Sequence, residues 1–381
     1  MYPTLSDFLN DVFGISLPLP IQSFGFFLAI AFLFAAIIVS YELKRKEKQG
    51  IIAPLNKIKT IGKPISIIKL ALTALIAFSI SYKLVEAVLN YPIFIENPAL
   101  FILSTKGNLI GAIIISIIVV FIRYIIINNK KLKEPIILNY QVHPYEHTVN
   151  IILIGALTGI IGSKLFHNLE HIDELFNNPI EALISFNGLN FYGGLILATI
   201  AIIIYSKINK IPVPVMADVV APAIILAYGI GRIGCQFAGD GDWGIENLAS
   251  KPEWLNIMPD WLWSYNYPHN ILNQGIHIDG CTGKHCFVLA TPVFPTPIYE
   301  TIICFFIFLF LWLIRKKINT NGVLFGLFLI LGGTERFFIE KIRINIHYYF
   351  FNLYLSQAEI ISVLLIITGF ILIWKLKRQK K

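Results

Sequence analysis

Long apolar runs dominate this 381-residue chain and restrict it to folds that can bury them in lipid. A helix needs about 20 mostly apolar residues to cross a bilayer. Hydrophobic residues make up 56% of the chain and charged residues only 14%, a composition too apolar for a soluble protein. We therefore predict an all-α polytopic membrane protein with about nine transmembrane spans. The predicted spans are residues 21–41, 65–88, 109–127, 147–166, 191–205, 213–233, 297–314, 322–339 and 358–373.

Short cationic blocks between these runs predict how the chain crosses the membrane. Loops on the cytoplasmic side carry an excess of lysine and arginine. Such blocks follow every odd-numbered span, and an N-terminus outside with a cytoplasmic C-terminus satisfies all of them. The net charge of +8 is thus explained by topology, which argues against a nucleic-acid-binding protein. The blocks are residues 44–48, 130–133, 207–210, 315–317 and 375–381.

One stretch between spans differs from the other connections. Residues 235–295 are polar, rich in tryptophan and tyrosine, and hold no span. Aromatic side chains at this density are typical of a membrane–water interface, so we expect an extracytoplasmic arm that lies over a site; a passive surface loop is the alternative. The chain then divides into an N-terminal segment with the first span (1–43), a segment with two further spans (44–146), spans four to six (147–234), the arm (235–295), and spans seven to nine with a basic tail (296–381).

Polar residues collect at one depth, the outer ends of the predicted spans. Spans four, six and eight run outward and spans five and seven run inward, so these ends meet in the outer leaflet. A charged side chain at membrane depth is costly, and a one-sided group of them indicates a binding site rather than scattered side chains reaching for water. The candidates are Lys164, Asn190, Tyr192, Arg232, Tyr299, Glu300, Arg336 and Glu340.

The chemistry of these residues favours an anionic phospholipid headgroup as the ligand. Guanidinium groups bind phosphate through paired hydrogen bonds, and neighbouring acids can hold the arginines or transfer protons. Glycines at 193, 194, 231 and 234 would let a ligand approach the backbone closely. Two alternatives stay open. An anion transporter or channel predicts charges on both membrane faces, and a different phospholipid-headgroup transferase would need no room for a peptide.

Four motifs in chain order resemble those of the prolipoprotein diacylglyceryl transferase family. The strongest runs from Gly231 and Arg232 through Gly234 to Gly239, with acids directly after it. The other three are residues 188–195, 295–300 and 333–340. The resemblance covers the first span and everything from about residue 147 onward. It implies a seven-helix transferase core into which residues of about 65–127 insert two helices.

The resemblance also implies a reaction. Such enzymes transfer the diacylglyceryl group from phosphatidylglycerol to the lipobox cysteine thiol of a prolipoprotein, release glycerol phosphate, and use no metal or cofactor. This is the first step of lipoprotein maturation in the bacterial cytoplasmic membrane. Arg232 and Arg336 would hold the phosphate, and Glu300 and Glu340 would hold the site together. The implied catalytic residues are Tyr192, Arg232, Glu300 and Arg336, and the implied substrate-binding residues are Lys164, Asn190, Gly193, Gly194, Gly231, Gly234, Gly239, Asp240, Asp242, Tyr299 and Glu340.

Several positions depart from the family pattern. Tyr192 stands where the family commonly has the histidine proposed as base for the acceptor thiol, and a tyrosine of pKa about 10 is a poor base at neutral pH. Either Arg232 lowers its pKa, or Tyr192 only orients the headgroup and an acid takes the proton. The acid run is one residue longer than usual, so Asp240 and Asp242 compete for one role. Cys235 replaces a common asparagine.

The four cysteines are too few for a disulfide scaffold, and none forms a metal-type pair. Cys235 is interpreted as a packing residue, because the acceptor thiol belongs to the substrate. Cys281 and Cys286 share the predicted arm, where the sequence leaves a local disulfide open.

Overall fold

A computed structural model describes residues 1–62, 64–177, 182–183, 190–345, 347–350 and 353–378. Over these residues the chain is mainly helical, with three two-stranded antiparallel ribbons, β1–β2, β3–β4 and β5–β6. The helices are α1 (Leu5–Phe13), α2 (Ser23–Lys48), α3 (Ile67–Leu89), α4 (Tyr91–Glu96), α5 (Pro98–Leu103), α6 (Leu109–Asn129), α7 (Thr148–Glu170), α8 (Ile172–Asn177), α9 (Phe191–Ile208), α10 (Val213–Ala238), α11 (Thr296–Ile314), α12 (Val323–Glu340) and α13 (Gln357–Arg378). The strands are β1 (Leu55–Ile61), β2 (Ile136–Val142), β3 (Ile276–His277), β4 (Phe287–Val288), β5 (His347–Phe350) and β6 (Leu353–Ser356).

A helix occupies each predicted span, which confirms the all-α polytopic membrane fold. Among the described residues, seven helices are long and apolar enough to cross a membrane, namely α2, α3, α6, α7, α10, α11 and α13. The other two differ for identifiable reasons. Helix α9 is apolar but shorter, and α12 carries Glu335, Arg336 and Glu340 among its 18 residues. The charges that make α12 less apolar are those of a candidate site.

Several helices run further than their apolar residues predict, and two of them illustrate why. Helix α2 continues to Lys48 and so includes the basic block after the first span, and α10 continues to Ala238, which makes Cys235 helical. Helix α10 ends at Gly239, whose φ of 61° lies in the left-handed region that glycine adopts readily. Backbone hydrogen bonding continues after the apolar pattern stops, and the glycine sets the true end.

The chain divides into two compact units. The first comprises Met1–Ile52, Tyr145–Leu153 and Ile203–Lys381, and the second Ala53–Pro144 and Ile154–Ile202. In the first unit α10 is central and packs against α2 and α11, while α12 packs against α10, α11 and α13.

In the second unit α3 packs against α6, and β1 pairs with β2 from Leu55 opposite Val142 to Ile61 opposite Ile136. The ribbon thus joins the two ends of the segment that holds the two further helices.

A group of buried charges ties the helices of the first unit together near the start of α10. Glu42 accepts hydrogen bonds from Arg315 Nε at 2.8 Å and Arg45 Nη2 at 2.6 Å. Asp218 accepts from the backbone N–H groups of Gly322 at 2.8 Å and Phe325 at 3.0 Å, so that it caps α12. We call this group the Glu42 cluster; it comprises Glu42, Arg45, Lys46, Asp218 and Arg315.

The predicted arm is folded onto the first unit. Trp243, Tyr267 and Val293 form a small buried cluster. The hydroxyl of Tyr267 donates to Gln236 Oε1 on α10 at 2.7 Å, which ties the arm to that helix. Cys281 and Cys286 form a disulfide, so the alternative that the sequence left open is resolved. These contacts favour a built arm over a passive loop.

Candidate active site

Arg232 lies near the end of α10 and meets two acids from different parts of the chain. Its Nε lies 2.6 Å from Glu300 Oε2 on α11, and its Nη1 pairs with Asp242, which follows the helix. Glu300 is completely buried. A buried charge needs a partner, and here each acid holds the guanidinium through a different nitrogen.

A second arginine, Arg343, joins the same two acids. Its Nη1 donates to Glu300 Oε1 at 2.9 Å, and its Nη2 donates to Asp242 Oδ1 at 2.6 Å. Each carboxylate therefore bridges two guanidinium groups.

The arm positions Arg343 through the backbone. Gly244 forms an isolated β-bridge with Arg343, and the Ile245 N–H donates to the Ile342 carbonyl at 2.8 Å. A Cβ at position 244 would stand 2.3 Å from that carbonyl oxygen, so only glycine permits this approach.

Tyr228 precedes Arg232 by one helical turn and orients it. Its hydroxyl donates to Glu300 Oε2 and accepts from Arg232 Nη2 at 3.1 Å. Its ring also lies under the guanidinium, 4.9 Å from ring centre to Cζ, within the range of a cation–π contact. We call these five residues the Arg232 cluster: Tyr228, Arg232, Asp242, Glu300 and Arg343.

The charges of the cluster outside the helices support one another. Burial tends to raise the pKa of Asp242, but Arg232 and Arg343 outweigh it and lower the pKa to about 2. The pKa of Arg343 lies above its usual range, since Asp242 and Glu300 outweigh its burial. Asp240 behaves oppositely, because burial and the negative charge of Asp242 raise its pKa. Asp242, and not Asp240, is the acid of this run that pairs with Arg232, whereas which of the two takes the family's role stays a prediction.

Arg336 and Glu340 form a second ion pair on α12. Arg336 Nη2 lies 2.9 Å from Glu340 Oε2, and Glu340 Oε1 accepts from Asn345 Nδ2 at 2.5 Å. Glu335, adjacent in sequence, is only 6% exposed. Arg336 and Glu335 both interact electrostatically with Tyr228, so these two residues of α12 adjoin the Arg232 cluster.

Several buried polar atoms here lack hydrogen-bond partners among the described residues. They include the donors Arg336 Nη1 and Arg343 Nε and the acceptor Glu335 Oε1. Leaving such a group unpaired costs about 1–3 kcal/mol, and native proteins normally avoid it. The acceptor Glu340 Oε2 also lacks a hydrogen bond, but it lies in the ion pair with Arg336. The two unpaired donors on cations and the unpaired acceptor on Glu335 are the features that a polar ligand would satisfy.

Other predicted residues of the first unit have structural contacts. The Tyr299 hydroxyl donates to the Leu262 carbonyl at 2.7 Å, and Tyr299 lines an apolar cavity of about 370 Å³ under the arm. A Cβ at Gly234 would stand 3.1 Å from Phe27 Cβ, so Gly234 allows α10 to pack on α2. Gly231 has open space around it, and Gly239 ends the helix.

Five predicted site residues belong to the second unit. Asn190 Oδ1 accepts from the Gly193 N–H at 3.1 Å and so caps α9. A Cβ at Gly193 would stand 2.3 Å from Phe166 Cβ, and one at Gly194 would stand 2.3 Å from Ser163 Oγ, so both glycines lie against α7. Two of the five, on α7 and α9, are half-buried: Lys164 and Tyr192. That these residues share a site with Arg232 stays a prediction. Positions 188 and 189 of their motif lie outside the described residues.

Sequence reasoning missed three residues of this region, although each carries a signal. Arg343 follows Arg336 and Glu340 by seven and three positions, so a further charge shortly after a predicted span is its signal, although α12 itself ends at Glu340. Tyr228 precedes Arg232 by four residues, the spacing at which side chains on a helix meet. Glu335 is an ionisable residue within a predicted span, and such residues are functional candidates.

Comparison with known proteins identifies the family. A family model described as prolipoprotein diacylglyceryl transferase matches residues 110–375. A Clostridium botulinum (strain Langeland) protein named phosphatidylglycerol–prolipoprotein diacylglyceryl transferase is 30% identical over 241 residues, 62% of this chain and 83% of the relative. Proteins of that name from Leptospira interrogans (serovar copenhageni) and Clostridium tetani are 26% and 29% identical, over 62% of this chain and 81% and 83% of their own lengths. This chain therefore belongs to the prolipoprotein diacylglyceryl transferase family.

Proposed function

We propose that this chain transfers the diacylglyceryl group of phosphatidylglycerol to the cysteine thiol of a prolipoprotein and releases glycerol phosphate. Family membership supports the reaction class. The observation that carries the proposal is the group of buried arginines held by buried acids, with guanidinium N–H groups left unpaired. Such N–H groups suit the oxygens of a phosphodiester.

In this proposal the phosphate is held by Arg232, Arg336 and Arg343. Glu300 and Asp242 keep two of these guanidiniums in place before the substrate arrives, which limits reorganisation as charge develops on the leaving phosphate. Tyr228 fixes the plane of one of them. The family motif adds Tyr192, Gly193 and Gly194 to the proposed headgroup-binding residues, and Lys164 is proposed with them.

The acceptor and the membrane belong to the proposal as well. The acceptor is the lipobox cysteine in the signal peptide of a prolipoprotein, and the membrane is the bacterial cytoplasmic membrane. Cationic blocks after each odd-numbered span support an N-terminus outside and a C-terminus in the cytoplasm. The reacting groups then lie in the outer leaflet, and the arm lies over them.

We also propose that the segment of residues 44–146 contributes two helices that are peripheral to the chemistry. Its helices α3 and α6 pack on each other, and its ribbon joins the two ends of the segment. The family match begins at residue 110 and so includes α6 but not α3. Because α3 and α6 pack on each other, the informative experiment deletes both helices together with the β1–β2 ribbon. A well-inserted, inactive deletion protein would contradict a peripheral role.

A direct test of the reaction incubates the purified protein in detergent with phosphatidylglycerol and a peptide that has one lipobox cysteine. We expect a mass increment of one diacylglyceryl group on the cysteine and an equal amount of glycerol phosphate. A peptide with serine in place of the cysteine and vesicles that lack phosphatidylglycerol are the controls. Release of glycerol phosphate without peptide modification would point to a different headgroup transferase. No product from well-folded protein would reject the proposal.

A further inference from the structure

We propose that Glu335 takes the proton from the acceptor thiol. This inference rests on the proposed function, and it answers a question that the sequence leaves open. A thiol must become a thiolate to attack carbon, and its usual pKa of about 8.5 leaves it mostly protonated at neutral pH. The family's common histidine is Tyr192 here, a poor base at its ordinary pKa of about 10, and the alternative left by the sequence is that an acid takes this proton.

Three other acids of the region are already engaged by guanidinium groups. Glu300 and Asp242 each hold two guanidinium groups. Glu340 pairs with Arg336 and accepts from Asn345. A carboxylate that binds guanidinium groups is stabilised in its charged form and is a correspondingly weak base.

Glu335 differs from these acids in its contacts. It is 6% exposed, and its Oε1 has no hydrogen-bond partner among the described residues. It interacts electrostatically with Glu300 and Arg336 and with Cys304 on α11, so it faces the interior of the first unit. An unpaired acceptor is therefore buried beside arginines that have unpaired donors.

The unpaired atoms match the reactants by type. The donors Arg336 Nη1 and Arg343 Nε suit phosphate oxygens, and the acceptor Glu335 Oε1 suits the S–H of a thiol. Arg336 and Glu335 are consecutive residues of α12. In this proposal Arg336 binds the phosphate and Glu335 accepts the thiol proton, so that the thiol can attack the carbon bonded to the phosphate oxygen.

The step balances without a co-reactant. The thiol proton moves to the Glu335 carboxylate, and the sulfur lone pair forms a C–S bond to the glyceryl carbon. The bond from that carbon to the phosphate oxygen breaks, and its electrons leave with glycerol phosphate. The proton then passes from the Glu335 carboxyl to the departing phosphate or to water, which restores the carboxylate.

A selenocysteine acceptor separates proton removal from all other roles of Glu335. A selenol is ionised at neutral pH, so it needs no base. In Glu335→Gln, which keeps the shape but cannot accept a proton, we expect turnover of the cysteine peptide to fall about 100-fold. We expect turnover of the selenocysteine peptide to stay within about threefold of wild type. The ratio of the two rates in one preparation does not depend on how much protein folds.

Three variants control this measurement. Glu335→Asp keeps a carboxylate and should keep the wild-type ratio of the two rates. Glu300→Gln frees two arginines and should lose turnover with both peptides. Asp240→Asn tests the remaining acid, whose Oδ1 accepts from the Asp242 N–H and which forms no ion pair with a guanidinium among the described residues; it should keep the wild-type ratio.

Specific outcomes overturn the proposal. Equal losses with both peptides in Glu335→Gln would show a structural role, and near wild-type turnover with cysteine would show no role at all. A selenocysteine-to-cysteine rate ratio that rises in Asp240→Asn would identify Asp240 as the group that accepts the proton. The wild-type protein is assayed first with both peptides. If it modifies neither, the proposed function itself fails, independently of Glu335.

Discussion

Two groups of buried charges lie toward opposite ends of α10, and they differ in what they leave unpaired. Asp218 of the Glu42 cluster and Arg232 of the Arg232 cluster are separated by about 21 Å along the helix, at 1.5 Å per residue. Atoms of the Glu42 cluster are absent from the unpaired buried atoms of the described residues, whereas Arg343 Nε is among them. Asp242 is also about a third exposed, while Asp218 and Glu42 are almost fully enclosed.

The difference shows how to tell a structural charge cluster from a functional one. Burying charges costs free energy that returns only when every group is paired, and the Glu42 cluster meets this condition through its neighbours and the capped end of α12. The Arg232 cluster is paired only in part, because Arg343 Nε has no hydrogen-bond partner among the described residues. The first arrangement joins four helices, and in our proposal the second binds an anion.

The largest expected effect is on catalysis at Arg232. Arg232→Lys keeps the charge but loses the planar fork that binds phosphate and acids together, so we expect turnover to fall about 100- to 1000-fold. Thioether product per amount of folded protein is the measurement. Arg315→Lys makes the same change in the Glu42 cluster and should lower the melting temperature while keeping turnover within about threefold. Similar turnover losses in both variants would remove the functional distinction between the clusters.

Breaking the Glu42 cluster should act on stability instead. Glu42→Gln leaves Arg45 and Arg315 buried without their acid, and disrupting a buried pair typically costs about 3–5 kcal/mol. Thermal unfolding in detergent would show this loss, with turnover of the remaining folded protein within about twofold of wild type. A folded but inactive Glu42→Gln protein would mean that the two ends of α10 are coupled.

Much of this organisation could be predicted from sequence, for reasons that particular residues show. Apolar length alone locates the predicted membrane helices. Arg232 and Asp242 follow from charges next to glycines, and Glu300 follows from its place at the outer start of a predicted span. For Lys46 and Arg315 the sequence indicates only membrane topology, because a basic block after a span has the same pattern whether its side chains face water or a buried acid. Only the acidic partner distinguishes the two cases, and the partner of Arg315, Glu42, lies 273 residues away in the sequence.

Arg343 illustrates a second limit of the sequence. Its role depends on a backbone bridge to Gly244 in the arm, a pairing that neither local pattern predicts. Tyr228 and Glu335 have helical spacing or span position as signals, but those signals gain weight only when α10, α11 and α12 are seen to pack together. Local patterns thus locate the elements, whereas the pairing between distant segments identifies which charges belong together.

A smaller effect on catalysis is expected at Tyr228. Tyr228→Phe removes one hydrogen bond to Glu300 and one from Arg232 while keeping the ring, so the guanidinium is less firmly oriented. We expect a loss of about tenfold in turnover, since a hydrogen bond to a charged group contributes about 1.5 kcal/mol. Tyr267→Phe removes a buried hydrogen bond to Gln236 outside the cluster and is the matched control. Equal turnover in both variants would show that Tyr228 does not orient Arg232.

The smallest expected effect concerns acid stability, and it tests the charge state of the Arg232 cluster. The pKa of Asp242 is about 2 in the folded protein, below the ordinary value of about 3.9 for the unfolded chain. The lowered pKa means that ionised Asp242 adds stability above pH about 4, and this contribution is lost as the pH falls from about 4 toward 2.

Other carboxylates titrate in the same range, so the measurement is the difference between wild type and Asp242→Asn. We expect wild type to melt higher by on the order of 2 °C at pH 6, a value discounted because Asp242 is partly exposed. The difference should shrink as the pH drops through the range from 4 to 2 and stay constant between pH about 5 and 8. Asp218→Asn is the control from the other cluster, since Asp218 is bound chiefly by backbone N–H groups of α12. A difference for Asp242→Asn that does not depend on pH would show that the carboxylate contributes by packing and not by its charge.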